Sequence, residues 1–273
     1  MAKTSLDADF VIELTAKLLD SRKYRSMKMP AATINDLITQ AQTITSNPRE
    51  VEQIVREKLH NLTATYLGDP DYATYSQKLD EACQKGDPTE IRQLCRELLS
   101  SHASTRERLP LLDDFYPRLF THVGNPATIM DLACALNPFA LPWMGLSAGT
   151  RYYAYDIHQP RLDLINHFFQ LNNLEPLAIN QDILVNPPQI ECDVAFFFKE
   201  AHRFEQRRHG CNREFWQSLK CKILLVSLPT TSLTGKHPKL EQHRRLVMET
   251  IAGLPWKVSE IEFSNEIVFC IEK

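Results

Sequence analysis

Glycine is scarce in this chain and almost missing from its front: of eight in 273 residues, only Gly68 and Gly86 precede residue 120. That scarcity excludes collagen-like repetition and glycine-rich linkers, and neither internal repeats nor low-complexity runs are present. No stretch reaches the roughly 20 consecutive apolar residues that a membrane span needs. The opening MAKTSLDADF carries acids where a secretory leader would carry basic and then apolar residues, so the expectation is a cytoplasmic protein without a membrane partner. The seven cysteines (Cys83, Cys95, Cys134, Cys192, Cys211, Cys221, Cys270) form no CxxC pair and have no histidine at finger-like spacing. They read as reduced, mostly buried thiols, and no metal site is expected. Positive charge does not dominate either: 31 Lys+Arg stand against 34 Asp+Glu, a net −3 that on its face argues against an electrostatically driven nucleic-acid binder. What remains, 43% apolar and 24% charged residues, is the composition of a soluble globular protein with core enough for one large or two modest domains.

The glycine asymmetry divides the chain into a helical front and an α/β back. Asn47-Pro48-Arg49-Glu50 and Asp87-Pro88-Thr89-Glu90 each set a capping side chain, a proline at the first helical position and a glutamate at the third. Two helices are expected there, with apolar faces through Val51, Ile54, Val55, Leu59, Leu62 and Tyr66, and through Ile91, Leu94, Cys95, Leu98 and Leu99. Ser104-Thr105-Arg106-Glu107 reads as a third capping box, opening a helix with Leu112, Phe115, Tyr116, Leu119 and Phe120 on its buried face. Residues 10–20 and 33–44 give two further helical patterns. From residue 128 the texture changes to short apolar runs, 128–134, 151–157, 175–183, 192–199 and 222–229, of the kind buried on both faces of a parallel sheet. Segments 159–173, 203–219 and 237–252 suit crossover helices. VSEIEF and EIVFCIE, parted by Ser264-Asn265, read as an antiparallel hairpin. The expected fold is α/β, a Rossmann-like sheet of the methyltransferase variety with a terminal antiparallel hairpin (107–273), preceded by an all-α N-terminal domain (1–106).

Ligands of open parallel sheets lie at the carboxyl ends of the strands, so the residues leaving each strand are the candidates. They are the Asp131 to Pro138 stretch, then Asp156, Asp182 and Lys199. An acid ending the second strand can accept from both hydroxyls of a ribose, and one after the third can accept from an exocyclic adenine amine. The first loop has no GxGxxG, which counts against a dinucleotide whose pyrophosphate needs close backbone approach. S-adenosylmethionine carries no phosphate and is less penalised. Singly, each acid reads equally well as a helix N-cap, and Lys199 as a solvated charge ending a strand; in this order, the three acids favour a cofactor pocket.

His102 to Pro110 (HASTRERLP), Asp131 to Met144 (DLACALNPFALPWM), Tyr155 to His158 (YDIH), Gln181-Asp182, Phe198-Lys199, Leu228 to Leu233 (LPTTSL) and Asn265-Glu266 together resemble the aminoglycoside-resistance 16S rRNA methyltransferases, which act on N7 of a guanine (guanine 1405) in the ribosomal decoding site. SRKY (Ser21 to Tyr24) and REKLH (Arg56 to His60) extend the resemblance into the helical front. It implies S-adenosyl-L-methionine as cofactor and 16S rRNA in the 30S subunit as partner of a monomer. It places Arg108 at the methionine carboxylate, the Ala133 backbone against the cofactor, Asp156 at the ribose, and Asp182 and Ile183 at the adenine. Tyr66, His102, Ala103, Ser104, Phe198 and Arg207 complete that pocket, and Lys199, Glu266 and Asn137 are the implied catalytic set. Because guanine N7 already has a free lone pair, these residues act as positioners rather than bases. The 229–242 loop, Lys199 and Asn265-Glu266 would surround a base turned out of its helix.

Several positions depart from the family pattern: Ala135 replaces a usual glycine, Glu200-Ala201-His202 an apolar stretch, Arg207 a glutamine and Leu228 a phenylalanine. Ala135 costs little at negative φ and more at positive φ, where its Cβ clashes. Two other readings therefore stand beside the first: methylation of a different RNA site, and a non-catalytic homologue that binds RNA or the ribosome. Positive charge is concentrated rather than absent. Residues 22–28 hold Arg22, Lys23, Arg25 and Lys28 without an acid, and residues 199–222 hold seven Lys/Arg against three Glu. From these segments and the 229–242 loop, Arg22, Lys23, Arg25, Lys28, Arg203, Arg208 and Lys236 are the expected RNA contacts.

Overall fold

The computed structural model describes residues 7–64, 69–230 and 239–273. Helices α1 (Ala8–Leu19), α2 (Ala31–Ile44) and α3 (Pro48–Thr63) close on a core of their own, built from Leu18, Ile34, Leu37, Ile38, Val51, Val55 and Leu59. As expected, Asn47 caps α3 by accepting from the Arg49 N–H, and Pro48 opens it. α4 (Tyr72–Lys85) and α5 (Pro88–Ser101) belong elsewhere: Leu79, Ala82, Leu94, Leu98 and Leu99 are buried in the same cluster as Ile129, Tyr152 and Phe196 of the sheet. α4 buries only Leu79 and Ala82, too thin a stripe to announce a helix by periodicity. Its ends are marked instead by the Asp71 cap and by Gly86 at φ +66°.

The capping box expected at Ser104 does not form. α6 (Ala103–Arg106) is a single turn started by His102, with the Ser104 hydroxyl spent on His102 Nδ1 at 2.9 Å. Pro110, without an N–H, sits in the following Leu109–Leu111 turn, and the long helix α7 (Leu112–Val123) starts after it. Its buried face holds four of the five expected residues, Leu112, Phe115, Tyr116 and Leu119, while the fifth, Phe120, is half-buried.

Seven strands follow: β1 (Thr128–Leu132), β2 (Arg151–Asp156), β3 (Ala178–Asn180), β4 (Glu191–Phe198), β5 (Lys220–Pro229), β6 (Lys257–Glu262) and β7 (Glu266–Glu272). They lie in the order β3-β2-β1-β4-β5-β7-β6, parallel through β5, with β7 antiparallel to both neighbours. The order reverses between β1 and β4, and ligands of such sheets bind outside the strand ends at that reversal. One face is covered by α4, α5, α7 and α9 (Gln159–Leu171), with the short α8 (Leu141–Met144) in the first crossover. The other is covered by α10 (Ala201–Arg207), α11 (Cys211–Ser218) and α12 (Leu240–Ile251). The single helix expected over 203–219 is thus two, broken where Gly210 takes φ +76°. All seven cysteines are free thiols, six of them buried, and among the described residues no helix is long and apolar enough to cross a membrane.

Candidate active site

A cleft opens at the carboxyl ends of β1 to β4. One lobe is bounded by His102, Ser104, Ala135, Phe198 and Lys199, the other by Ile157, Gln181, Asp182, Ile183 and Arg207. Leu62, Ala133, Asp156 and Glu200 line both. Ala133 (φ +53°), Ala135 (φ +47°) and Lys199 (φ +59°), in the loops leaving β1 and β4, occupy the left-handed region, which costs a non-glycine residue roughly 1–2 kcal/mol. Two of these conformations come with a backbone engagement. Ala135 donates its N–H to Asp156 Oδ2 at 3.0 Å, and Lys199 donates its own to the Ser227 carbonyl at 2.8 Å.

The two acids expected to hold adenosine are each paired with an arginine that reaches a second acid toward the helical front. Asp156 accepts from the Ile157 and His158 amides at 2.7 and 3.1 Å and from Arg161 Nη1 at 3.3 Å. Arg161, wholly buried, also donates to Asp69 at 2.6 Å, and Asp69 accepts from the Tyr72 hydroxyl. Asp182 accepts from the Leu184 amide at 3.1 Å and pairs with Arg207 Nη1 at 2.8 Å. Arg207 Nη2 then reaches Asp36 of α2 at 2.8 Å. Two acid–arginine–acid chains therefore join the strand ends to segments preceding the sheet.

Beside the first lobe lies a buried ionic cluster. Glu266, fully buried, receives Arg108 Nε and Nη2 at 3.2 and 2.5 Å and lies 3.4 Å from Lys199 Nζ. Lys199 also pairs with Glu107 at 2.7 Å. Arg108 Nη1 donates to Asn137 at 2.8 Å, and its guanidinium lies between the rings of Phe115 and Phe198, 4.3 and 4.6 Å from their centroids. Asn137 donates in turn to Asp131 at 2.9 Å. Burial alone would raise the Glu266 carboxyl, but the charges of Arg108 and Lys199 outweigh it and hold its pKa below the usual range. Asp131, buried with only neutral donors in contact, is pushed up to about 6.

Most of the expected site residues converge. His102, Ser104, Ala133, Asp156, Asp182, Ile183, Phe198, Lys199 and Arg207 line the cleft, and Ala103 begins the adjoining turn. Arg108, Asn137 and Glu266 do not line it. The residue expected at a methionine carboxylate and two of the expected catalytic set form one cluster behind the wall, of which Lys199 is the member facing the cleft. Tyr66, Lys236 and much of the 229–242 loop lie outside the described residues. Leu62, Arg161 and Glu200 are additions to the expected pocket; Arg161 and Glu200 follow the strand-end positions Asp156 and Lys199, the one signal that points to them.

The basic segments part company. Arg22, Lys23, Arg25 and Lys28 are exposed, although Arg25 is paired with Asp20 at 3.0 Å. The Lys28 carbonyl accepts from Asn180 Nδ2 at 2.8 Å, which fixes this turn beside the end of β3. In 199–222 the charge excess is largely spent internally: Lys199 and Arg207 as described, Arg213 on the Thr250 and Ala252 carbonyls, Lys222 on Asp193. Arg203 faces the cleft and Arg208 is exposed.

With this geometry in hand, likeness to known proteins is informative. Residues 20–270 match the family model described as ribosomal RNA methyltransferase (FmrO). A 16S rRNA (guanine(1405)-N(7))-methyltransferase of Micromonospora echinospora is 30% identical over 275 residues, 99% of each chain. An enzyme of the same name from Serratia marcescens is 30% identical over 260 residues, 94% of this chain and 96% of that one. The crystal structure of 16S rRNA methyltransferase RmtF in complex with S-adenosyl-L-homocysteine is 27% identical, with a TM-score of 0.78 over 98% of this chain and 99% of that one.

Proposed function

The chain belongs to the ribosomal RNA methyltransferase (FmrO) family, and we propose that it transfers a methyl group from S-adenosylmethionine to N7 of guanine 1405 of 16S rRNA within the 30S subunit, thereby conferring aminoglycoside resistance. We place it in the cytoplasm and read it as a monomer. The observation that carries this is the cleft at the strand reversal, with Asp156 and Asp182 at the ends of successive strands. The residues present fit the cofactor: acceptors for a ribose and an adenine in one lobe, cationic Lys199 in the other. When bound, S-adenosylmethionine supplies a sulfonium methyl that is already an activated electrophile.

Guanine N7 needs no deprotonation, so the protein's task is to orient and enclose. Asp156 would take the ribose hydroxyls by yielding the Arg161 contact at 3.3 Å, while Asp69 keeps that arginine in place. Asp182 and Ile183 take the adenine. Lys199, with Arg108 behind it, provides the positive field for the amino-acid carboxylate. Glu266 and Asn137 act as positioning residues that hold Arg108 and Lys199, rather than as groups touching substrate. Of the helical residues 1–106, we assign docking on the small subunit to α1–α3, whose exposed Arg22, Lys23 and Lys28 are the expected phosphate contacts, with Arg203 and Arg208 closer to the target base. Incubating the protein with 30S subunits and S-adenosylmethionine and mapping modified nucleotides by primer extension and mass spectrometry tests this. Methylation of one decoding-site guanine at N7, with resistance to both kanamycin and gentamicin on expression, is expected. A modified nucleotide elsewhere selects the alternative RNA site, and no modification at all selects the non-catalytic homologue.

A further inference from the structure

Glu200 stands where the two lobes of the cleft meet. Of the four residues lining both lobes, it and Asp156 alone are ionisable. Asp156 is already engaged by the Ala135, Ile157 and His158 amides and by Arg161. The Glu200 side chain, 17% exposed, has a looser ionic partner, Arg203 Nε at 3.8 Å. In S-adenosylmethionine the sulfur joins the ribose to the amino-acid arm. A ligand with its adenosine between Asp156 and Asp182 and its amino-acid end near Lys199 must carry that sulfur through the junction.

We propose that Glu200 is a charge selector, a carboxylate that makes the pocket prefer S-adenosylmethionine over its product S-adenosylhomocysteine. The inference rests on the cofactor reading above. Substrate and product share their adenosine and their amino-acid groups and differ by one methyl cation, so a carboxylate at the sulfur is felt by the first and hardly by the second. Attraction between unit charges a few ångströms apart in the effective dielectric of a protein is worth up to roughly a thousandfold in affinity, and solvent at the 17% exposed side chain together with sharing with Arg203 brings the expectation to about tenfold. A neutral product then leaves more readily than the charged substrate.

Titration supplies a second handle. Burial pushes the Glu200 carboxyl up to about 7. The groups facing it are Arg203 and Arg207 of α10, Asp156 at the end of β2, Asp182 after β3, Lys199 after β4, His102 before α6, Arg161 of α9 and, across the neighbouring recess, Lys58 of α3. His102, which burial lowers to about 4, stays neutral between pH 6 and 8. The sulfonium prefers the ionised carboxylate, so affinity for S-adenosylmethionine relative to S-adenosylhomocysteine rises as pH rises through this range. The sulfonium also lowers the amine of S-adenosylmethionine below that of S-adenosylhomocysteine, so the part due to Glu200 is the pH dependence that wild type shows and Glu200→Gln lacks.

The test is calorimetric titration of the full-length protein and Glu200→Gln with each ligand at pH 6, 7 and 8. Expected are a preference for S-adenosylmethionine about tenfold smaller in Glu200→Gln at pH 8, S-adenosylhomocysteine affinity within about twofold of wild type, and a ratio that gains more with rising pH in wild type than in Glu200→Gln. An equal ratio in the two proteins, or the same pH dependence of that ratio in both, overturns the inference while leaving the cofactor reading intact. Should Glu200→Gln not fold, Glu200→Ala takes its place in both comparisons. Failure of both ligands to bind wild type overturns the cofactor reading and the inference with it.

Discussion

At Ala135 a single backbone angle separates two costs. With φ +47° the residue sits where a Cβ is penalised by roughly 1–2 kcal/mol, while a glycine there would lose about 0.5–1 kcal/mol more chain entropy on folding. The first exceeds the second, so Ala135→Gly should leave the protein as stable as wild type or up to about 1.5 kcal/mol more stable in urea unfolding; a measurable loss would show that the methyl group packs usefully. Glu266 is the opposite case, a residue whose partners forbid its removal. Glu266→Gln leaves Arg108 and Lys199 buried with one fewer counter-charge, and a loss of about 3–5 kcal/mol is expected. The sign of the pH dependence follows from its lowered pKa. The folded state holds the proton less tightly than the unfolded one, so the contribution is present above the ordinary glutamate value of about 4.5 and is lost as pH falls through the folded value. Wild-type stability should therefore fall more steeply than that of Glu266→Gln on acidification below about pH 4.5, as measured by denaturant midpoints across pH.

Elements announced themselves in the sequence where one local cause sufficed. The Asn47 and Asp87 caps, the short, mainly apolar runs of β1, β2, β4 and β5, and the acids at the strand ends needed no tertiary information. Two causes competing over a few residues misled: the Ser104 box lost to Pro110, and the 203–219 helix to Gly210. What was illegible is the pairing between elements, because Arg207 meets Asp36 across 171 positions and Arg108 meets Glu266 across 158. The lining positions of the pocket were thus readable, and the cluster behind its wall was not. The Arg207 chain carries a consequence for affinity. Asp36 shares Arg207 with Asp182, and without it the guanidinium grips Asp182 alone, the acceptor assigned to the adenine. Asp36→Asn, on α2 and absent from the lining of the cleft, should weaken S-adenosylhomocysteine binding several-fold in wild type and leave it unchanged in Arg207→Met, a coupling of roughly 0.5–3 kcal/mol. Additive effects of the two substitutions would show that the chain of ion pairs transmits nothing.

For the whole molecule, a net charge of −3 says little about an RNA partner because the positive charge is local. Inside the 199–222 segment much of it is neutralised by Asp36, Asp182, Asp193, Glu107 and Glu266. The turn at 22–28 is different. Arg22 is exposed, Lys23 Nζ meets the His60 ring at 2.8 Å, and Asn180 anchors the turn to the end of β3 on the cleft side. A molecule gripping an RNA surface would then have this turn and the cleft facing the same substrate, with the phosphate grip separable from the cofactor pocket. Arg22→Glu with Lys23→Glu should weaken binding to 30S subunits and lower the slope of log affinity against log salt by roughly two, one for each phosphate that the protein no longer neutralises. Affinity for S-adenosylhomocysteine should not move, since neither residue lines the cleft. Adding Arg25→Glu should cost less than either of the others, because Asp20 already holds that guanidinium at 3.0 Å. Binding isotherms at four or five salt concentrations, run beside calorimetry with S-adenosylhomocysteine, check this. An unchanged slope would move the docking surface away from α1–α3, and a parallel loss of both affinities would mean that the reversals disturb the core beneath the turn.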